Sequence, residues 1–129
     1  MAKPAAMHKV AVAGASGRMG HMLIEALRAS GDCQLAGATD VASSPAIGND
    51  AAAFLGHASG VPVTADLRAA LANAQVLIDF TRPEGTLQHL KACRELGVNA
   101  VIGTTGFGEG QKAQIEDAAR DIAIVMAPT

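Results

Sequence analysis

The amino-acid sequence predicts an α/β protein, a doubly wound parallel sheet with helices on both faces. Apolar runs of strand length alternate along the chain with helix-length segments. That rhythm joins each strand to a parallel neighbour through a right-handed helical crossover. Length agrees: 129 residues, 50% of them hydrophobic and many of these alanine, suffice for one domain with close helix-on-sheet packing.

The elements follow in order. Lys9–Ala13 reads as a buried strand, and Met19–Ala29 as a helix with Leu23, Ile24 and Leu27 on its inner face. Gly31 is placed to end that helix in a left-handed conformation. Cys33–Thr39 is the second strand, with Asp40 at its end. Val41–Gly60 is rich in Ser, Gly, Pro and Asn, so it reads as loop with at most one short helix near Asp50–Leu55. Val61–Thr64 is a short strand, Asp66–Ala72 a small helix, and Gln75–Phe80 a clear strand. Thr81 and Glu84 stand at capping-box spacing, with Pro83 tolerated in the first turn. The helix they open runs to Leu96 and stops at Gly97. Asn99–Ile102, Glu109–Arg120 and Ile122–Ala127 complete the pattern as strand, helix and strand. The chain then stops at Ala127-Pro128-Thr129, immediately after a core strand. Residues 1–129 therefore read as one domain of something longer, lacking C-terminal elements that would close its sheet.

Composition removes several functions. The formal net charge is -2, so no basic field recruits nucleic acid. The three aromatic residues are all Phe, which leaves no platform for stacking bases. Met1–Met7 holds no signal-like apolar run, and no stretch approaches the roughly 18–20 apolar residues of a membrane span. Cys33 and Cys93 lie far apart without a Cys-x-x-Cys pattern, so they read as free thiols of a cytoplasmic protein that binds no metal.

The chemistry lies in the loops. Gly14-Ala15-Ser16-Gly17-Arg18-Met19-Gly20 falls where a strand turns into a helix. Gly14 permits the tight turn, Gly17 lets the backbone approach a pyrophosphate, and Gly20 lets the helix lie on the strand. Unpaired amides at the helix start favour an anion. Asp40, twenty residues after Gly20, is where a carboxylate takes the adenosine ribose hydroxyls. Strand, glycine triplet, helix and distal acid together specify a Rossmann-type dinucleotide site, whereas a Walker loop is absent. Arg18 has two readings, a solvated first-turn residue or a phosphate contact. No cation follows Asp40 in Val41-Ala42-Ser43-Ser44, so charge alone favours NADH over NADPH. Two further polar loops, Phe80–Thr86 and Gly103–Phe107, follow strands at the same sheet edge and can meet the nicotinamide end. Thr81 and Thr105 are also placed to cap helices.

The segments Val10–Gly20, Ile78–Thr86 and Val101–Phe107, in this order, resemble the bacterial 4-hydroxy-tetrahydrodipicolinate (dihydrodipicolinate) reductase family of the diaminopimelate route to lysine. The resemblance implies NADH or NADPH as cofactor. It implies cofactor contacts at Gly14, Ala15, Ser16, Gly17, Arg18 and Met19, at Asp40, at Gly103, Thr104 and Thr105, and at Ala127, Pro128 and Thr129. Phe80 and Arg82 would flank the nicotinamide side. Some members carry Arg where Val41 stands, and the family usually has Asn where Thr129 stands. It further implies a dicarboxylate substrate and a homotetramer, both served by a second domain with a His-rich segment. No such segment occurs here: His8, His21, His57 and His89 are isolated, read as surface or helix-face residues, and give no catalytic residue. A chain of this kind would bind cofactor and turn nothing over. Two rivals stand beside this reading, a catalytically silent short-chain-dehydrogenase relative, since the chain has no Tyr, and a nucleotide sensor.

Overall fold

A computed structural model describes residues 7–126 of the chain. It comprises β1 (His8–Ala13), α1 (Arg18–Ala29), β2 (Cys33–Thr39), a single 3-10 turn at Ala53–Leu55, β3 (Val63–Thr64) and α2 (Leu67–Leu71). After these come β4 (Val76–Asp79), α3 (Pro83–Leu96), β5 (Asn99–Ile102), α4 (Glu109–Ala118) and β6 (Ile124–Met126). The six strands form one sheet in the order β3-β2-β1-β4-β5-β6, every pairing parallel. The α/β fold expected from the strand-helix rhythm is the fold found.

Each face of the sheet has its own core. Val10, Val12 and Ala38 pack with Ile24 and Leu27 of α1, while Ala11, Leu77, Ala100 and Ile102 pack with Leu71, Leu90, Cys93 and Ile115 of α2, α3 and α4. Parallel strands covered on both sides need continuous apolar runs, which is why β1 buries Val10 through Ala13 without alternation. On the outer face of the helices Arg94 bridges α3 to Asp117 and Asp121, at 3.0 Å and 2.6 Å.

The direction of winding reverses between β1 and β4, which lie side by side although α1, β2, β3 and α2 separate them in sequence. The chain leaving β1 turns to one side of the sheet and the chain leaving β4 to the other. A crevice opens between them.

Three expected helix caps are not the ones found. Gly31 does not adopt a positive φ; α1 ends at Ser30, whose amide donates to the Leu27 carbonyl and whose hydroxyl accepts from the amides of Asp32 and Cys33. A side-chain oxygen thus closes the turn and makes a left-handed residue unnecessary. Thr81 does not cap α3: the N-cap is Arg82, without a side-chain bond, and the Thr81 hydroxyl donates to Asp79. Pro83 at the first helical position shifts the start one residue past Thr81. Thr105 caps nothing either, since α4 starts at Gly108, whose amide donates to the Gln111 side chain. At Gly97 the expected stop is present, and it takes a left-handed conformation with φ 70°.

The long connection Val41–Gly60 is ordered around Asp50. Its carboxylate accepts from the amides of Ala52, Ser59 and Gly60 and from the Ser59 hydroxyl, at 2.8–3.0 Å. These donors, the Ser59 amide foremost, hold its pKa down to about 2. Phe54 from the 3-10 turn stacks on His21 of α1, ring centroids 3.8 Å apart, which pins the segment to the helix. Replacing Asp50 by Ala deprives four donors of one acceptor. Limited proteolysis should then cut faster within residues 50–60, while far-ultraviolet circular dichroism stays that of the parent.

Candidate functional site

The crevice at the β1/β4 reversal has a volume of about 770 Å³, within the usual range of ligand sites. Gly14, Ser16, Gly17 and Asp40 form one wall; Phe80, Thr81, Arg82 and His89 belong to the other. Of the residues singled out in the sequence, the structure therefore gathers Gly14, Ser16, Gly17, Asp40, Phe80 and Arg82 around one space. Ala15 is buried beneath it, and Arg18 and Met19 lie exposed on the first turn of α1. Gly103 and Thr104 stand behind Phe80 and Thr81, whereas Thr105 is exposed and does not line the crevice. Ala127, Pro128 and Thr129 lie outside the described residues.

The three glycines of the first loop differ in what demands them. Gly14 has φ 74°, a conformation other residues rarely take. A Cβ on Gly20 would sit 2.2 Å from the Gly14 carbonyl oxygen, so α1 could not lie where it does. Gly17 has neither reason. Its φ is -83°, and an added Cβ would meet only the Gly14 oxygen at 3.5 Å, an ordinary contact. Nothing in the protein's own packing requires glycine there, yet its bare face borders the crevice and starts a helix whose N-cap carries no side-chain bond. Such a bare helix start leaves room for an anion, and a pyrophosphate approaching helix amides fits it.

Asp40 faces this cradle with its carboxylate already placed. The Ser16 amide (2.9 Å) and hydroxyl donate to Oδ2, and the Val41 amide donates to Oδ1 at 2.8 Å. Burial raises its pKa, but the bonds from Ser16 and Val41 outweigh burial and hold it below the ordinary carboxylate value. Asp40 stays ionised, an acceptor for hydroxyls and a repellent for phosphate. Ser16 also hydrogen-bonds Ser44 (3.0 Å), which ties the glycine loop to the chain leaving β2.

A buried carboxylate that sequence reasoning passed over organises the far wall. Asp79, only 1% exposed, ends β4 and accepts on Oδ1 from the Thr81 amide (3.0 Å) and hydroxyl (2.6 Å). His89 Nδ1 lies 2.6 Å from its Oδ2. Thr104 receives the Thr81 amide as well and is bonded to Thr86 of α3. Phe80 closes over the join, its ring against Gly103, where a Cβ would fall 1.9 Å from the ring. His89 is thus no isolated helix-face histidine: α3 places it ten residues after Asp79 and turns it back onto that strand's end. The signal available in sequence was an acid in the last core position of an otherwise apolar strand, which needs a partner.

Burial raises the Asp79 pKa, yet the His89 hydrogen bond and charge, with the Thr81 donors, bring it below the ordinary value. The stability it contributes is therefore complete above the unfolded carboxylate pKa of about 4 and is lost as pH falls through the lower folded value. Replacing Asp79 by Ala strands His89 and Thr81 and should cost about 3 kcal/mol of unfolding free energy at neutral pH by urea titration. The variant should also show a weaker acid-dependent loss of stability than the parent.

Comparison with known proteins agrees with this geometry. Residues 8–129 match the family described as dihydrodipicolinate reductase, N-terminus. The 4-hydroxy-tetrahydrodipicolinate reductase of Herminiimonas arsenicoxydans is 62% identical over 120 residues, covering 93% of this chain and 45% of that protein. The enzyme of the same name from Janthinobacterium sp. (strain Marseille) is 58% identical over an equal length and coverage. This chain thus spans about half the length of the curated relatives it matches. Among solved structures, dipicolinate-bound dihydrodipicolinate reductase from Paenisporosarcina sp. TG-14 superposes with TM-score 0.73 at 25% identity, over 95% of this chain and 48% of that one. GenD2 from gentamicin A biosynthesis, in complex with NAD, shares the fold at TM-score 0.76 and 21% identity, over 98% of this chain and 36% of its own. With a family match from His8 to Thr129 and relatives near 60% identical, this chain belongs to the dihydrodipicolinate reductase N-terminal family.

Proposed function

We propose that the chain is the dinucleotide-binding domain of an NADH- or NADPH-dependent reductase that converts 4-hydroxy-tetrahydrodipicolinate to tetrahydrodipicolinate, in the diaminopimelate route to lysine. The observation that carries the reading is Gly17, a glycine that the chain's own packing does not require and that borders the crevice at the start of α1. The named relatives support a reductase over a silent short-chain-dehydrogenase-like sensor. Residues 1–129 would form the cofactor domain, with substrate binding, proton donation and homotetramer assembly left to a second domain. No helix among the described residues is long and apolar enough to cross a membrane, which accords with a cytoplasmic enzyme.

Each element then has a task. The Gly14–Met19 turn and the start of α1 hold the pyrophosphate, and Asp40 accepts the adenosine ribose hydroxyls. Phe80 and Arg82 border the nicotinamide half, with Gly103 and Thr104 supporting them from behind. The bound cofactor supplies the hydride for the cyclic imine, and the domain supplies orientation and exclusion of water. Asp40 is kept ionised and is followed by Val41, 65% exposed, so the adenosine end disfavours an added 2′-phosphate. NADH is the preferred cofactor.

Calorimetry tests this directly. The 129-residue chain should bind NADH more tightly than NADPH and show no turnover of substrate by itself; absence of binding at millimolar concentrations would overturn the proposal. Gly17→Val should fold with stability within about 1 kcal/mol of the parent, because its backbone conformation suits a β-branched residue. It should lose NADH affinity at least about tenfold, or about 1.4 kcal/mol.

A further inference from the structure

The Asp79–His89 pair has no task in the reading above, although it lies in the wall of the crevice. Asp79 is an ionised acceptor, so His89 Nδ1 must carry the proton between them. Nε2 is left over. It makes no hydrogen bond among the described residues, and no buried side-chain nitrogen or oxygen lacks a partner there. Nε2 therefore meets solvent on the side where His89 borders the crevice. The ring is fixed at one nitrogen and presents the other to the crevice.

We infer that His89 is a positioning residue of the dinucleotide crevice. Held by Asp79, it steadies the carboxylate that fastens the loop after β4 to the loop after β5. The inference rests on the dinucleotide reading of the crevice.

The linkage runs through a chain of hydrogen bonds. The His89–Asp79 bond places the carboxylate, Asp79 takes both donors of Thr81, and the Thr81 amide also reaches Thr104, itself anchored to Thr86 of α3. Loss of the imidazole frees one arm of the hub on which Phe80 and Gly103 depend.

The test is calorimetric titration of the 129-residue chain and two variants with NADH. His89→Asn retains a donor near the Nδ1 position and should bind within about threefold of the parent. His89→Ala loses that donor and should bind roughly tenfold more weakly than the parent. An alanine variant that binds as tightly as the parent, or an asparagine variant that binds no better than the alanine one, overturns the inference while the dinucleotide reading stands. A parent that binds no NADH overturns both. Thermal melts of all three chains show that each is folded under the conditions compared.

Discussion

The reversal of winding between β1 and β4 is the constraint on which the rest of the molecule depends. In a parallel sheet every strand needs a crossover, and a crossover commits the departing chain to one face. Two adjacent strands whose crossovers leave toward opposite faces must part at their carboxyl ends. The crevice is therefore a consequence of sheet order before any side chain is considered. What the side chains decide is whether the parted loops are loose or held.

Here they are held, by two carboxylates with different surroundings. Asp40, half-buried, is ringed by Ser16 and Val41 and keeps its outward charge. Asp79, fully buried, spends its acceptors on Thr81 and His89. A buried unpaired carboxylate would be untenable, so the partners of Asp79 are obligatory, and they come from the loop after β4 and from α3. The network makes the site rigid because taking it apart would leave a charge in the core. Gly14 and Gly20 serve the opposite wall by allowing α1 to lie against the loop it follows. Gly17 is different in kind, since the fold does not need it.

Much of this was legible beforehand. Period-3.6 and continuous apolar patterns located all six strands and all four helices, because burial on both faces leaves a strong compositional trace. The glycine loop and Asp40 could be read because their spacing reflects a strand-turn-helix-strand unit of fixed length. Helix ends were harder. Ser30 rather than Gly31, Arg82 rather than Thr81 and Gly108 rather than Thr105 mark the true boundaries. In each case a nearby competitor for the same hydrogen bonds was the better bargain: the Ser30 hydroxyl, the Asp79 carboxylate and the Gln111 amide.

The sequence by itself determined the winding of the sheet, the glycine cradle and the acid beside it, and the family, because these depend on short-range order along the chain. Only the tertiary structure decided that Asp79 and His89 are partners, that Phe80 rests on Gly103, and that Gly17 is free of internal demands. Those facts depend on which loops a reversed crossover brings within hydrogen-bonding reach. The reach is set by the packing of α3 against β4 and β5, and no local pattern encodes it.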